Sequence, residues 1–159
     1  EEARRMIHQL SSFLRGTLRK DEQQFVSLKD ELEHLQLYLE IEKVRFGNRL
    51  STMIDCNEEV CKMKLPALLL QPIVENAIKF GLYDTTGQTE ISIIASLENH
   101  QLILKVQNPF DPETSKPMKG TGFGLSSVER RLNLLFGRKD LLQTETDNHI
   151  FTTTVIIPQ

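Results

Sequence analysis

The chain has 159 residues, 39% hydrophobic and 26% charged, with a formal net charge of -3. That is an ordinary globular composition with room for a real core, and no global basic field exists to draw it to nucleic acid, so no nucleic-acid partner is expected. No apolar run approaches the roughly 18 residues needed to cross a bilayer.

Apolar residues at Met6, Ile7, Leu10, Phe13, Leu14 and Leu18 step by three and four, which predicts an amphipathic helix over residues 1 to about 20. The chain begins without Met inside this pattern, as expected of a piece of a longer protein. After a polar break at Lys20 to Gln24, Ser27-Leu28-Lys29-Asp30 has the character of a capping box with Asp in place of Glu. Leu28, Leu32, Leu35 and Leu39 then form a second stripe, widened by Tyr38, Ile41 and Val44, and Gly47 is the expected stop. Both stripes need cover, from each other, from the following domain or from a second chain.

A short strand is expected over Leu50 to Ile54. Cys56 and Cys61 lack CxxC spacing and a ligand cluster, so they read as packing or surface thiols of a reducing compartment. Pro66 fits the first turn of a helix running to about Phe80, with Gly81 ending it. Strands are expected at Thr89 to Leu97 and Leu102 to Val106 around an Asn99-His100 turn. Asn108 to Thr121 reads as a long loop, Phe123 to Phe136 as a helix, and Leu141 to Thr144 and Phe151 to Ile157 as closing strands about Asp147-Asn148. Strands arriving in hairpins with helices between them predict a two-layer α/β sandwich with a mixed, mostly antiparallel sheet, preceded by two amphipathic helices. The helices at 66–80 and 123–136 are expected to cover one face.

Two segments carry chemistry. In the first helix of the sandwich, Leu69, Ile73, Ala77 and Phe80 face the sheet, while Glu75, Asn76 and Lys79 fall on another arc. Asn76 and Lys79 are one turn apart. A carboxamide oxygen is a hard neutral ligand suited to Mg²⁺, a Lys one turn on meets phosphate charge, and the carboxylate of Glu75 can take a proton or hold a metal-bound water. Taken alone, such a face also fits a solvated helix surface. Gly120, Gly122 and Gly124 let backbone approach a ligand just before a helix whose free N–H groups favour anions. This is neither a Walker loop nor a Rossmann fingerprint. The loop ahead of it carries Lys116 and Lys119 and suits a lid over a bound nucleotide.

In combination these residues resemble the GHKL (Bergerat-fold) ATP-binding domain of histidine kinases, gyrase and Hsp90-type ATPases. Three stretches, 65–79, 122–132 and 37–46, are similar to the LytS-type sensor histidine kinases, so the resemblance covers essentially the whole chain. It implies a helical dimerisation and linker segment over 1–48 and an ATP-binding catalytic domain over 49–159. It implies ATP and Mg²⁺ as cofactors, with Asn76 as metal ligand, Glu75 assisting at the γ-phosphate and Lys79 on phosphate. Gly120, Gly122 and Gly124 would form the lid end, and Leu125 would pack near the base. At the base end, Gln107-Asn108-Pro109-Phe110 replaces the usual Asp-x-Gly, so Asn108 would accept the adenine amino group without charge and Phe110 would pack on the base. Phe80 and Ser127 replace a common His and Asn.

The family's phospho-accepting histidine lies in a Pro-His-Phe-type motif, which none of His8, His34, His100 and His149 matches. The resemblance therefore implies γ-phosphoryl transfer to a histidine N-terminal to this chain and a response-regulator receiver domain as partner. It also implies a homodimeric parent protein, held at the membrane through segments outside this chain, with this part on the cytoplasmic side. The alternative is a regulatory module of the same fold with weak or no ATP use. A GHKL ATPase clamp fits less well, because the upstream helices match a kinase.

Overall fold

Helices α1 (Glu2–Asp21) and α2 (Leu28–Phe46) form an antiparallel hairpin in the computed structural model, which describes residues 1–21, 24–83, 86–113 and 123–159. The expected cap is present, with Ser27 Oγ accepting the Asp30 N–H at 3.1 Å. Gly47, at φ +58, ends α2 and donates its N–H to the Lys43 carbonyl. The hairpin is joined by Phe13 stacked on His34 at 4.8 Å, Phe13 beside Tyr38, and Gln9 Nε2 donating to Glu40 Oε2 at 3.0 Å. Gly16 leaves room there, because a Cβ would sit 2.9 Å from His34 Nδ1.

The apolar surface of α1 divides in two. Met6 and Phe13 are half-buried, while Ile7, Leu10, Leu14 and Leu18 remain exposed at 67%, 38%, 59% and 70%. Helix α2 instead buries Leu28, Glu31, Leu32, His34, Leu35 and Leu39.

Five strands form one sheet: β2 (Leu50–Asp55), β4 (Thr89–Glu98), β5 (Gln101–Pro109), β6 (Leu142–Asp147) and β7 (Ile150–Pro158). Their spatial order is β2-β4-β5-β7-β6, parallel between β2 and β4 and antiparallel elsewhere. Ile91, Ile93, Leu102, Leu104, Val106, Val155 and Ile157 are buried on the face covered by α4 (Leu70–Ile78) and α5 (Phe123–Phe136). This is the expected sandwich. The hairpin turns place Asn99-His100 and Asn148-His149 in the left-handed region, as two-residue type I′ turns require. The second turn lies one residue later than expected.

Four local expectations are corrected. Pro66 ends β3 (Lys64–Pro66), which pairs antiparallel with β1 (Phe25–Ser27), so α4 starts only at Leu70. Past Ile78 the helix widens into a π turn over Lys79–Tyr83 instead of stopping at Gly81. Arg49 ties this turn down, Nη2 donating to the Leu82 carbonyl at 3.0 Å and Nε to that of Gly87 at 3.1 Å. Strand β5 runs on through Asn108, because Asn108 and Pro109 stay in register with Phe151 and Ile150. Finally, Cys56 and Cys61 are joined as a disulfide: α3 (Glu58–Cys61), capped by Asn57, brings their Cα atoms to 6.2 Å, within bonding reach.

Candidate functional site

Helix α4 has no cap of its own, since Leu69 offers no side-chain acceptor. Its first N–H, that of Leu70, is met from α2 instead, together with that of Leu68 just before the helix. The Glu31 carboxylate, 1% exposed, accepts from Leu68 N at 3.1 Å through Oε2 and from Leu70 N at 3.3 Å through Oε1. A negative charge at this position also suits the helix dipole. The Ala67 carbonyl accepts from Arg131 Nη1 of α5. Between these contacts Leu68 sits at φ +60, a conformation that a non-glycine residue keeps only when its surroundings fix it.

Beyond that joint, Ile73, Val74 and Ala77 are buried and leave Glu75 and Asn76 on the open side of α4, with Lys79 exposed where the π turn begins. Glu75 accepts from Gln71 Nε2 at 3.0 Å, Asn76 is half-buried, and the Lys79 ammonium lies 5.7 Å from the Phe80 ring centre. Two close approaches bracket these residues. At the start of α5, a Cβ on Gly124 would lie 3.7 Å from the Pro72 carbonyl oxygen, and Pro72 shares a helix face with Asn76 one turn on. At the other end, a Cβ on Gly81 would lie 3.5 Å from Asn108 Cβ and 2.9 Å from Thr89 Cγ2. The start of α5, the open side of α4 and the end of β5 therefore adjoin.

Asn108 is 2% exposed and donates from Nδ2 to the Pro109 carbonyl at 2.8 Å, so its oxygen is the acceptor side of the carboxamide. Phe110 lies just past β5, its N–H on the His149 carbonyl at 2.6 Å and its ring 6.2 Å from that of Phe151. Leu125 is buried, packed into the core beneath the start of α5. Gly120, Gly122, Lys116 and Lys119 lie outside the described residues.

Among the described residues no group of three or more His, Cys, Asp and Glu is placed to hold a metal. A donor set of one Asn and exposed charges fits a Mg²⁺ that takes most of its shell from phosphates and water. A groove of about 430 Å³ opens on the other face of the sheet, with Glu90, Glu145 and Asp147 on its walls. Its charge is wrong for phosphate.

Glu31 and Arg131 are the polar residues that sequence reading missed. The signal for Glu31 was its place on the apolar stripe, one turn from both Leu28 and Leu35. Nothing in the sequence marks Arg131 apart from its neighbour Arg130.

A family model described as histidine kinase matches residues 1–50. The sensor histidine kinase BtsS of Escherichia coli is 38% identical over 86% of this chain and 24% of its own length. The sensor protein LytS of Oceanobacillus iheyensis is 33% identical over 99% of this chain and 29% of its own. The chain thus spans about a quarter of the length of the curated relatives it matches. Among solved structures, the catalytic domain of histidine kinase ThkA superposes with a TM-score of 0.61 at 20% identity, covering 84% of this chain and 93% of that one. ThkA in complex with the response regulator TrrA gives 0.60 at 19% identity, over 96% and 48%. Related in sequence along nearly all its length and alike in fold, the chain is homologous to part of the LytS-type sensor histidine kinases and carries the GHKL fold of histidine-kinase catalytic domains.

Proposed function

We propose that this chain is the ATP-binding catalytic part of a two-component sensor histidine kinase, acting on a histidine N-terminal to residue 1. The observation that carries this reading is the placement of Asn76 on α4 and Lys79 at the head of the π turn that follows it, between the Gly124–Pro72 and Gly81–Asn108 contacts. In this reading the side-chain oxygen of Asn76 ligates Mg²⁺, and Lys79 sets its charge against phosphate. Glu75, oriented by Gln71, holds a water or takes the proton released by the attacking imidazole. Gly120, Gly122 and Gly124 give backbone donors at the lid end, Asn108 accepts the adenine amino group, and Phe110 and Leu125 border the base. Bound Mg²⁺ supplies neutralisation of the β,γ-phosphoryl charge. Catalysis is then mainly positioning and electrostatics, as in phosphoryl transfer generally.

Residues 1–48 serve as the dimerisation and linker segment and 49–159 as the catalytic domain. The exposed stripe of Ile7, Leu10, Leu14 and Leu18 supports a homodimer of the parent protein. A response-regulator receiver domain receives the phosphoryl group, a reading supported by the ThkA–TrrA neighbour. Among the described residues no helix is long and apolar enough to cross a membrane. The parent protein is held at the membrane by segments outside this chain, with this part on the cytoplasmic side.

Titration with a non-hydrolysable ATP analogue, with and without Mg²⁺, tests the reading. Expected is Mg²⁺-dependent binding that Asn76→Ala weakens at least about tenfold, the loss of one metal ligand worth about 1.4 kcal/mol or more. One observation favours a second reading: Asn108 is uncharged where the family has Asp, and its amide is committed to Pro109. Binding that is absent or only millimolar and indifferent to Asn76→Ala assigns the chain to that regulatory module.

A further inference from the structure

We infer that Glu31 and Arg131 are positioning residues for the nucleotide helix, making the bend at Ala67–Leu70 a joint between the N-terminal hairpin and the site. This rests on the nucleotide reading above and adds two residues to it. Three elements meet at the bend. Glu31 reaches it from α2, whose neighbouring His34 and Tyr38 contact Phe13 of α1. Arg131 reaches it from α5, which begins beside Gly124. The bend itself carries α4.

A buried carboxylate with two backbone N–H donors is a strong, oriented contact. Here it replaces the cap that Leu69 cannot give. Without it the N–H of Leu70, the first residue of α4, loses its acceptor, and Leu68 loses a contact that helps hold it at φ +60. Asn76 lies roughly 9 Å further along the axis at about 1.5 Å per residue, so a tilt of a few degrees at the joint displaces it by about half an ångström to one. Displacements of that size at a ligand-positioning group are costly. The same geometry makes the joint a route by which a change in the α1–α2 hairpin alters α4, and by linkage the reverse.

The test uses the whole chain. Glu31→Gln keeps the shape but removes the charge and one acceptor. Affinity for the Mg²⁺–ATP analogue is expected to fall by roughly fivefold or more, with faster amide exchange at Leu68 and Leu70. In an Asn76→Ala background the same substitution is expected to change affinity little, because it acts through Asn76. Rescue is expected with Glu31→Asp to a greater degree than with Glu31→Ala. If Glu31→Gln does not fold, Arg131→Gln carries the same comparison. Faster exchange at the two amides with affinity within about twofold overturns the inference, since the contact is then purely structural. Equal losses in the presence and absence of Asn76 overturn it as well. An unsubstituted chain that binds no Mg²⁺–nucleotide overturns the function first and this inference with it, whereas Asn76-dependent binding that ignores Glu31 overturns the inference alone.

Discussion

Residue chemistry at the site divides into what neighbours in sequence specify and what only the fold brings together. Glu75, Asn76 and Lys79 are legible because helical spacing alone puts them on one open arc. Glu31, Arg131 and the Gly81–Asn108 contact are not, because each partner lies far along the chain. Gly81 shows the difference well. It reads as a helix stop, yet it lacks positive φ and serves as a gap for Thr89 and Asn108. Gly81→Ala is therefore expected to destabilise by about 1–3 kcal/mol through overpacking, measured by urea unfolding. An unchanged midpoint would show that the β4–β5 end yields freely. The substitution also presses on Asn108, the residue proposed for the base end of the site.

Among the elements, α1, α2, α5 and the two hairpins were readable from periodicity, caps and turn residues. The short β1–β3 ladder and the start of α4 were not. Each of those strands has three residues, too few to show a period, and Pro66 suits a strand end as well as a first helical turn. The register of the ladder then moves the helix start to Leu70, where Glu31 takes over as cap. The α4–α5 layer holds the site against the sheet through side chains such as Leu132, which is 1% exposed. Leu132→Ala is expected to cost about 2–5 kcal/mol by denaturant unfolding, and a cost under about 1 kcal/mol would contradict its place in the core. Helix α1 keeps part of its apolar surface uncovered, which its stripe alone did not reveal: the sequence shows six apolar positions, and only the packing separates the two that are half-buried from the four left outside.

For the whole molecule, the mixed sheet with helices on one face was legible because strands come in hairpins, and the family resemblance followed from motifs spread along the chain. The uncovered α1 stripe predicts self-association, so sedimentation of the wild-type chain should show a dimer that Leu14→Glu with Leu18→Glu converts to monomer; a monomeric wild type at high concentration would contradict it. The histidines are poorly placed as acceptors. His34 is buried against Phe13, and His8, His100 and His149 are exposed, the last two in hairpin turns. Mixed with ATP, residues 1–159 alone are expected to form no phosphohistidine, and radiolabel on them would overturn that. The nucleotide reading itself stands on calorimetric titration of the chain with an ATP analogue, with and without Mg²⁺, alongside Asn76→Ala. Binding that needs Mg²⁺ and weakens at least about tenfold in the variant is the result predicted, and binding absent or indifferent to both Mg²⁺ and Asn76 would contradict it.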